Sequence, residues 1–198
     1  PAAPTPPPPA VPADGPTAIT TDKGIVQGAA IDEVRQWLGI PFAAPPVGPL
    51  RFLPPAEAAP WATPRTANAA SGECPQLNFG VTPTLVAGAT EDCLYLNVWA
   101  PRAAVTNAPV FVWIYGGGFT IGSGGDRMYD GEALAAKTGA IVVTFNYRLG
   151  ALGWLSHPEL AAEEGVATSP SQGLLDQQMA LRWVQKNIAA FGGNPNDV

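Results

Sequence analysis

The chain of 198 residues is 46% hydrophobic, contains six tryptophans and carries a formal net charge of −6. That is apolar material for one substantial core, in one domain or part of a larger one. The acidic balance leaves no basic stripe to neutralise phosphates, which argues against nucleic acid as a partner, and no apolar run approaches the roughly 18 residues of a membrane span.

Pro1 to Pro16 holds eight prolines among small residues, a composition that gives an extended, solvated arm or linker and no core. Its abrupt start reads as a mature N-terminus left after removal of a leader. The folded part is expected from residue 17 to residue 198. Thr17–Thr21, Ile25–Ala30 and Val34–Gly39 read as short strands, with Asp22-Lys23-Gly24 as a hairpin loop and Ile31-Asp32-Glu33 as a second turn. An antiparallel meander at a sheet edge is the economical arrangement. The proline-dense run Pro41–Phe52 must be a rigid surface loop, with Phe42 and Phe52 as anchors.

Residues 53–90 are loop-rich. Cys74 and Cys93 enclose eighteen residues. Two buried thiols suit a cytosolic chain, whereas a disulfide closing a loop of this size contributes about 3 kcal/mol. Leu94–Ala100 alternates as a strand that Pro101 closes. From Val110 to Tyr115 the residues are β-branched, aromatic or aliphatic and read as a fully buried strand. Gly116-Gly117-Gly118 ends it. Three glycines after a strand leave backbone N–H groups that no side chain shields, and such donors converge on an anion or on an oxygen becoming anionic. A plain flexible turn is the alternative reading of the triplet.

Asp130–Thr138 is expected as a short helix with Asp130 as N-cap and Gly139 as terminator. Ile141–Phe145 is a second buried strand, and strand, helix, strand with continuous apolar runs marks a parallel α/β sheet. The longest helix runs from about Gly173 to Ala190, with Leu174, Leu175, Met179, Trp183, Val184 and Ile188 on an apolar stripe and Asp176, Gln178 and Arg182 facing elsewhere. Gly192-Gly193 stops it, Asn194–Asp197 is a turn, and Val198 looks like the start of another strand. No dinucleotide or phosphate-binding glycine motif, CxxC pair or His/Cys cluster is present, so neither a metal nor an organic cofactor is expected.

Five ordered motifs carry a family resemblance. Glu91-Asp92-Cys93-Leu94-Tyr95-Leu96-Asn97-Val98 resembles the second signature of the type-B carboxylesterases, the cholinesterase-containing branch of the α/β-hydrolases. Gly39–Ala43 through Arg51-Phe52, Tyr115–Phe119, Asn146–Gly150, and Gly173–Gln177 through Gly193 match further landmarks of that family in the right order. The resemblance implies an α/β fold: the N-terminal portion of an α/β-hydrolase, with N-terminal antiparallel strands leading into a mostly parallel central sheet. It implies oxyanion donors at the N–H groups of Gly117 and Gly118, with Gly116 and Phe119 at the mouth of the substrate gorge. It further implies a Cys74–Cys93 disulfide, and so a secreted or periplasmic location, and ion pairs Arg51–Glu91 and Arg148–Asp176. The substrate would be a small-molecule carboxylic ester. Two departures stand out: Ser169-Pro170-Ser171-Gln172 lacks the asparagine that commonly precedes the glutamine, and the cysteine loop is short.

The family's nucleophile is missing from these 198 residues. Phe191, Gly192, Gly193 and Val198 fit the opening of its first signature, whose Gly-x-Ser-x-Gly places the serine about six positions past Val198. None of the serines at 71, 123, 156, 169 and 171 is flanked by glycines at the required spacing, and the one histidine, His157, sits in a Ser-His-Pro loop. The sequence therefore reads as the N-terminal part of a serine ester hydrolase that needs the C-terminal half of the same protein and is inactive alone. A non-catalytic adhesion or binding relative is the alternative; the intact glycine loop favours the enzyme.

Overall fold

The computed structural model describes residues 14–78, 82–163, 165 and 171–198. Residues 1–13, most of the expected arm, and Ser169-Pro170 lie outside the described residues. Asp14–Pro16, grouped with the arm on composition, belong to the folded body. The Gly15 N–H donates to Arg102 O at 2.9 Å, Asp14 meets Arg102 at 3.0 Å, and the buried Arg35 guanidinium donates to Pro16 O at 3.0 Å.

Among the described residues, eight strands form two sheets. The smaller holds β1 (Ala18–Thr20), β2 (Ile25–Gln27) and β5 (Arg65–Thr66). The larger has the order β3 (Ala29–Ile31), β4 (Val34–Pro41), β6 (Tyr95–Pro101), β8 (Ile141–Phe145) and β7 (Val110–Trp113). Its first three pairings are antiparallel and the β7–β8 pairing is parallel. The sheet is therefore mixed, and parallel pairing begins at its last described step. The helices are α1 (Glu132–Thr138), α2 (Gly150–Trp154), α3 (Pro158–Glu163) and α4 (Gln172–Asn187), the last followed by a 3-10 turn over Ile188–Phe191.

Ile25–Ala30, expected as one strand, is two. Gly28 lies between them, and β2 and β3 serve different sheets. The chain passes so close to β4 at this crossing that a Cβ would stand 2.2 Å from Gln36 O and 2.4 Å from the Trp37 ring, which only glycine avoids.

Alternation along β6 and β8 sends side chains to two cores. Val98 pairs with Val143, and both enter the larger cluster with Leu96, Ile141, Phe145 and the α4 residues Ala180, Trp183 and Val184. Trp99 pairs with Val142, and these enter a smaller cluster with Val34 and Ala135 of α1. Strand β8 is buried at all five positions, as its largely apolar run requires, and its one polar residue, Thr144, donates its hydroxyl to Gly124 O at 2.6 Å. Strand β7 is not fully buried. Phe111 and Trp113 are 46% and 40% exposed: β7 is the outermost described strand, and the short α1 and Tyr129, whose ring packs 5.5 Å from Trp113, cover that face only in part. The N–H of Val110 donates to Asp197 O at 2.9 Å, which lays the end of the chain along the outer edge of β7.

Candidate active site

Strands β7 and β8 are parallel neighbours, so the loops that follow them emerge side by side at their C-terminal ends, where open α/β sheets hold their ligands. Tyr115 and Tyr147 join the two loops at their roots. Their rings stack at 4.5 Å, Tyr147 Oη donates to Tyr115 O at 2.9 Å, and Tyr115 Oη donates to Tyr147 O at 3.2 Å. Burial pushes the Tyr115 phenol far up, so it remains a neutral donor at any working pH.

Beyond Tyr115 the backbone turns sharply. Gly117 has φ +128° and Gly118 φ +59°, and the non-glycine Phe119 has φ +62°. The left-handed region costs a side-chain-bearing residue about 1–2 kcal/mol. Phe119 is held there because its ring stacks on Trp154 at 4.1 Å and its carbonyl accepts the Gly150 N–H at 2.8 Å. The turn closes on Gly117 O, which accepts from Thr120 N at 3.1 Å, Ile121 N at 3.3 Å and Thr120 Oγ1 at 3.0 Å. Gly117 and Gly118 are exposed residues, and their N–H groups donate to no acceptor among the described residues. A Cβ at Gly117 would stand 2.0 Å from Ile121 O, so glycine is required; at Gly118 nothing lies within 4 Å. Gly116 has neither a positive φ nor a close neighbour, so neither constraint requires glycine there.

The far side of the loop rests on buried polar groups. Asn146 Oδ1 accepts from Gly124 N at 2.8 Å and from Ser123 Oγ at 3.2 Å, and Asn146 Nδ2 donates to Ser71 Oγ and Gly72 O, both at 3.2 Å. Gln76 holds both backbone groups of Gly122. Ser123 and Ser71 are thus engaged in structural bonds, and His157 is exposed, with Nδ1 accepting from Glu159 N at 3.2 Å at the start of α3.

Behind the loop, Arg148 and Asp176 are almost wholly buried. The guanidinium meets the carboxylate at 2.7 and 2.8 Å, the Arg148 N–H adds a third bond at 3.0 Å, and Nη1 donates to Arg51 O and Leu53 O. Burial raises the Asp176 carboxyl, against the pull of the arginine. Asp176, off the apolar stripe of α4, is buried and pairs with Arg148 as the family resemblance implied. Arg51 itself reaches Glu91 at 2.6 Å in a much more exposed pair. Cys74 and Cys93 form a disulfide. The loop it closes and α2 flank an apolar groove of about 470 Å³, lined by Leu77, Leu85, Ile121, Leu149 and Leu152. Among the described residues no cluster of His, Cys, Asp and Glu is arranged to hold a metal.

A family model for the carboxylesterase family matches residues 15–198. The chain belongs to the carboxylesterase family. Among its relatives in that family, a fumonisin B1 esterase of Sphingopyxis macrogoltabida is 50% identical over 182 residues, covering 90% of this chain and 33% of the relative. The para-nitrobenzyl esterase of Bacillus subtilis (strain 168) is 44% identical over 182 residues, covering 91% and 36%. A Mus musculus cholinesterase is 43% identical over 192 residues, covering 91% and 31%. A solved PNB esterase structure superposes with a TM-score of 0.81 at 45% identity, over 90% of this chain and 36% of that one. The chain thus spans about a third of the length of the curated carboxylesterase relatives it matches.

Of the residues singled out in the sequence, Gly116, Gly117, Gly118 and Phe119 share one loop, Arg148–Asp176 lies behind it, and Arg51–Glu91 lies at the periphery. Sequence reasoning missed Gln76, and gave no individual role to Asn146 or to the tyrosine pair. Asn146 carried one signal, a polar residue directly after a buried strand whose residues are apolar except Thr144; Gln76 carried only its place two residues after a cysteine.

Proposed function

We propose that this chain builds the oxyanion side of the active site of a serine-dependent carboxylic-ester hydrolase. The observation that carries this reading is the pair of N–H groups at the exposed residues Gly117 and Gly118, unbonded among the described residues, on a loop braced at its root, its turn and its far end. As a nucleophile adds to an ester carbonyl, the oxygen takes up negative charge, and rigid donors about 3 Å away favour that state more than the ground state. Family membership, and relatives named as esterases, support the same chemistry.

The serine that attacks, and the histidine and acid that activate it, are assigned to sequence beyond Val198. The chain spans about a third of its relatives and contains no Gly-x-Ser-x-Gly. The substrate is a small-molecule carboxylic ester, and the partner is the remainder of the same protein. The disulfide supports a secreted or periplasmic location.

The test is turnover of an aryl ester. The 198-residue chain should show none above background, and the full-length protein should hydrolyse it. In the full-length protein Gly117→Val should lower kcat by roughly 10²–10³-fold, the scale of one lost oxyanion donor, with much less change in KM. Turnover by the 198-residue chain that a serine-directed phosphonate abolishes, or an unimpaired Gly117→Val enzyme, would overturn the reading.

A further inference from the structure

Gln76 lies two residues from the disulfide and is buried. Its side-chain amide faces Gly122 as a neighbouring strand would. Oε1 accepts the Gly122 N–H at 2.8 Å, and Nε2 donates to Gly122 O at 2.9 Å and to Cys74 O at 3.3 Å. Every polar group of the amide is used, and a flipped amide would set donor against donor.

The peptide that Gln76 grips is the one that shapes Gly117. In a trans peptide the N–H and the preceding carbonyl point in opposite directions. The N–H of Gly122 points to Gln76, and on the other edge of the same plane Ile121 O lies 2.0 Å from the site of a Gly117 Cβ. Gly122 itself has φ +118° and packs on the Tyr115 ring, so it has no strand ladder to hold it.

We infer that Gln76 is a positioning residue for the glycine loop: it fixes the Ile121–Gly122 peptide, whose opposite edge abuts Gly117, and thereby sets the direction of the Gly117 N–H. The disulfide in turn anchors the segment that carries Gln76. The catalytic consequence rests on the esterase reading above; the mechanical link does not.

The test uses the full-length protein with Gln76→Ala and Gln76→Glu, and two independent readouts. Hydrogen exchange of the Gly116–Gly122 amides reports the link without reference to activity; Gln76→Ala should speed exchange at Gly122 at least about 10-fold, since its acceptor is gone. Hydrolysis of an aryl ester, expressed per active site titrated with a phosphonate, should show kcat lower by about 10–100-fold with KM within about threefold, the mark of a misdirected group. Gln76→Glu places a carboxylate against Gly122 O at neutral pH. Once protonated it donates and accepts as the amide does, so its activity relative to the unaltered enzyme should rise as pH falls from 8 to 5. If Gln76→Ala fails to fold, this pH-dependent recovery of Gln76→Glu decides the matter. Unchanged exchange at Gly122, unchanged kcat per titrated site, or a flat Gln76→Glu ratio would each overturn the assignment. Absence of turnover in the unaltered full-length protein would instead overturn the esterase reading, and exchange alone would then judge Gln76.

Discussion

At Gly117 the clash with Ile121 O is with backbone, so no rotamer relieves it, whereas Gly118 has free space and a left-handed φ. The two donors should therefore differ in tolerance. Gly118→Ala carries a strain of about 1–2 kcal/mol without collision, and in the full-length protein should cost less than about 10-fold in kcat, far less than Gly117→Ala. Equal losses at the two positions would show that loop strain, not collision, governs this turn. The two ion pairs also differ. Removing one partner of a buried pair costs about 3–5 kcal/mol, because the other charge stays buried and unpaired, while an exposed pair contributes about 0–1 kcal/mol. Urea unfolding should accordingly show Asp176→Ala as severe and Glu91→Ala as slight.

Among the elements, the β1–β2 hairpin and the end of α4 are fastened by one clasp. Asp22 N donates to Asn187 Oδ1 at 2.8 Å, Asn187 Nδ2 donates to Asp22 Oδ1 at 3.0 Å, and Lys186 meets Asp22 at 2.8 Å. Burial pushes the Asp22 carboxyl up, but the bonds from Lys186 and Asn187 outweigh it and hold the group below the ordinary value. A depressed folded pKa gives stability that is present above the unfolded value of about 3.9 and is lost as pH falls through the folded one. Denaturation midpoints should thus fall as pH is lowered below about 4, and Asp22→Asn should flatten that fall; an unaltered slope would mean that the clasp does not contribute. Such cross-chain bonds are what the sequence hides. Strand β8 was legible because a strand buried on both faces needs a run of mainly apolar residues, and Gly139 marked the end of α1, where it takes a left-handed φ of +76°. The half-exposure of β7 was not legible, since the same kind of run serves an outermost strand that is covered only in part. A stripe counted from apolar residues cannot register that Asp176 is buried by an arginine 28 positions away; that pair was legible only through the family resemblance. The glycine triplet announced the candidate site, but Gln76 has no periodicity to betray it.

Across the whole molecule, Phe111, Trp113, Met128 and Leu134 leave an apolar hollow over one face of the larger sheet. An uncovered face beside a strand edge invites association. The 198-residue chain should self-associate at micromolar concentration in sedimentation velocity, and Phe111→Glu with Trp113→Glu should return it towards monomer; association that the double variant leaves untouched would locate the contact elsewhere. Reducing Cys74–Cys93 should lower stability by about 3 kcal/mol, the loop-closure scale for a separation of 19 residues. The Asp22–Asn187 clasp has a temporal side as well. Its partners are 165 positions apart, and a ribosome adding about 5–20 residues per second takes roughly 8 to 33 s to pass from one to the other. The cysteine pair is in hand after about 1 to 4 s by the same count. The emerging chain therefore completes the loop bearing Gln76 early and presents its first hairpin unfastened until the last turn of α4 arrives to hold it.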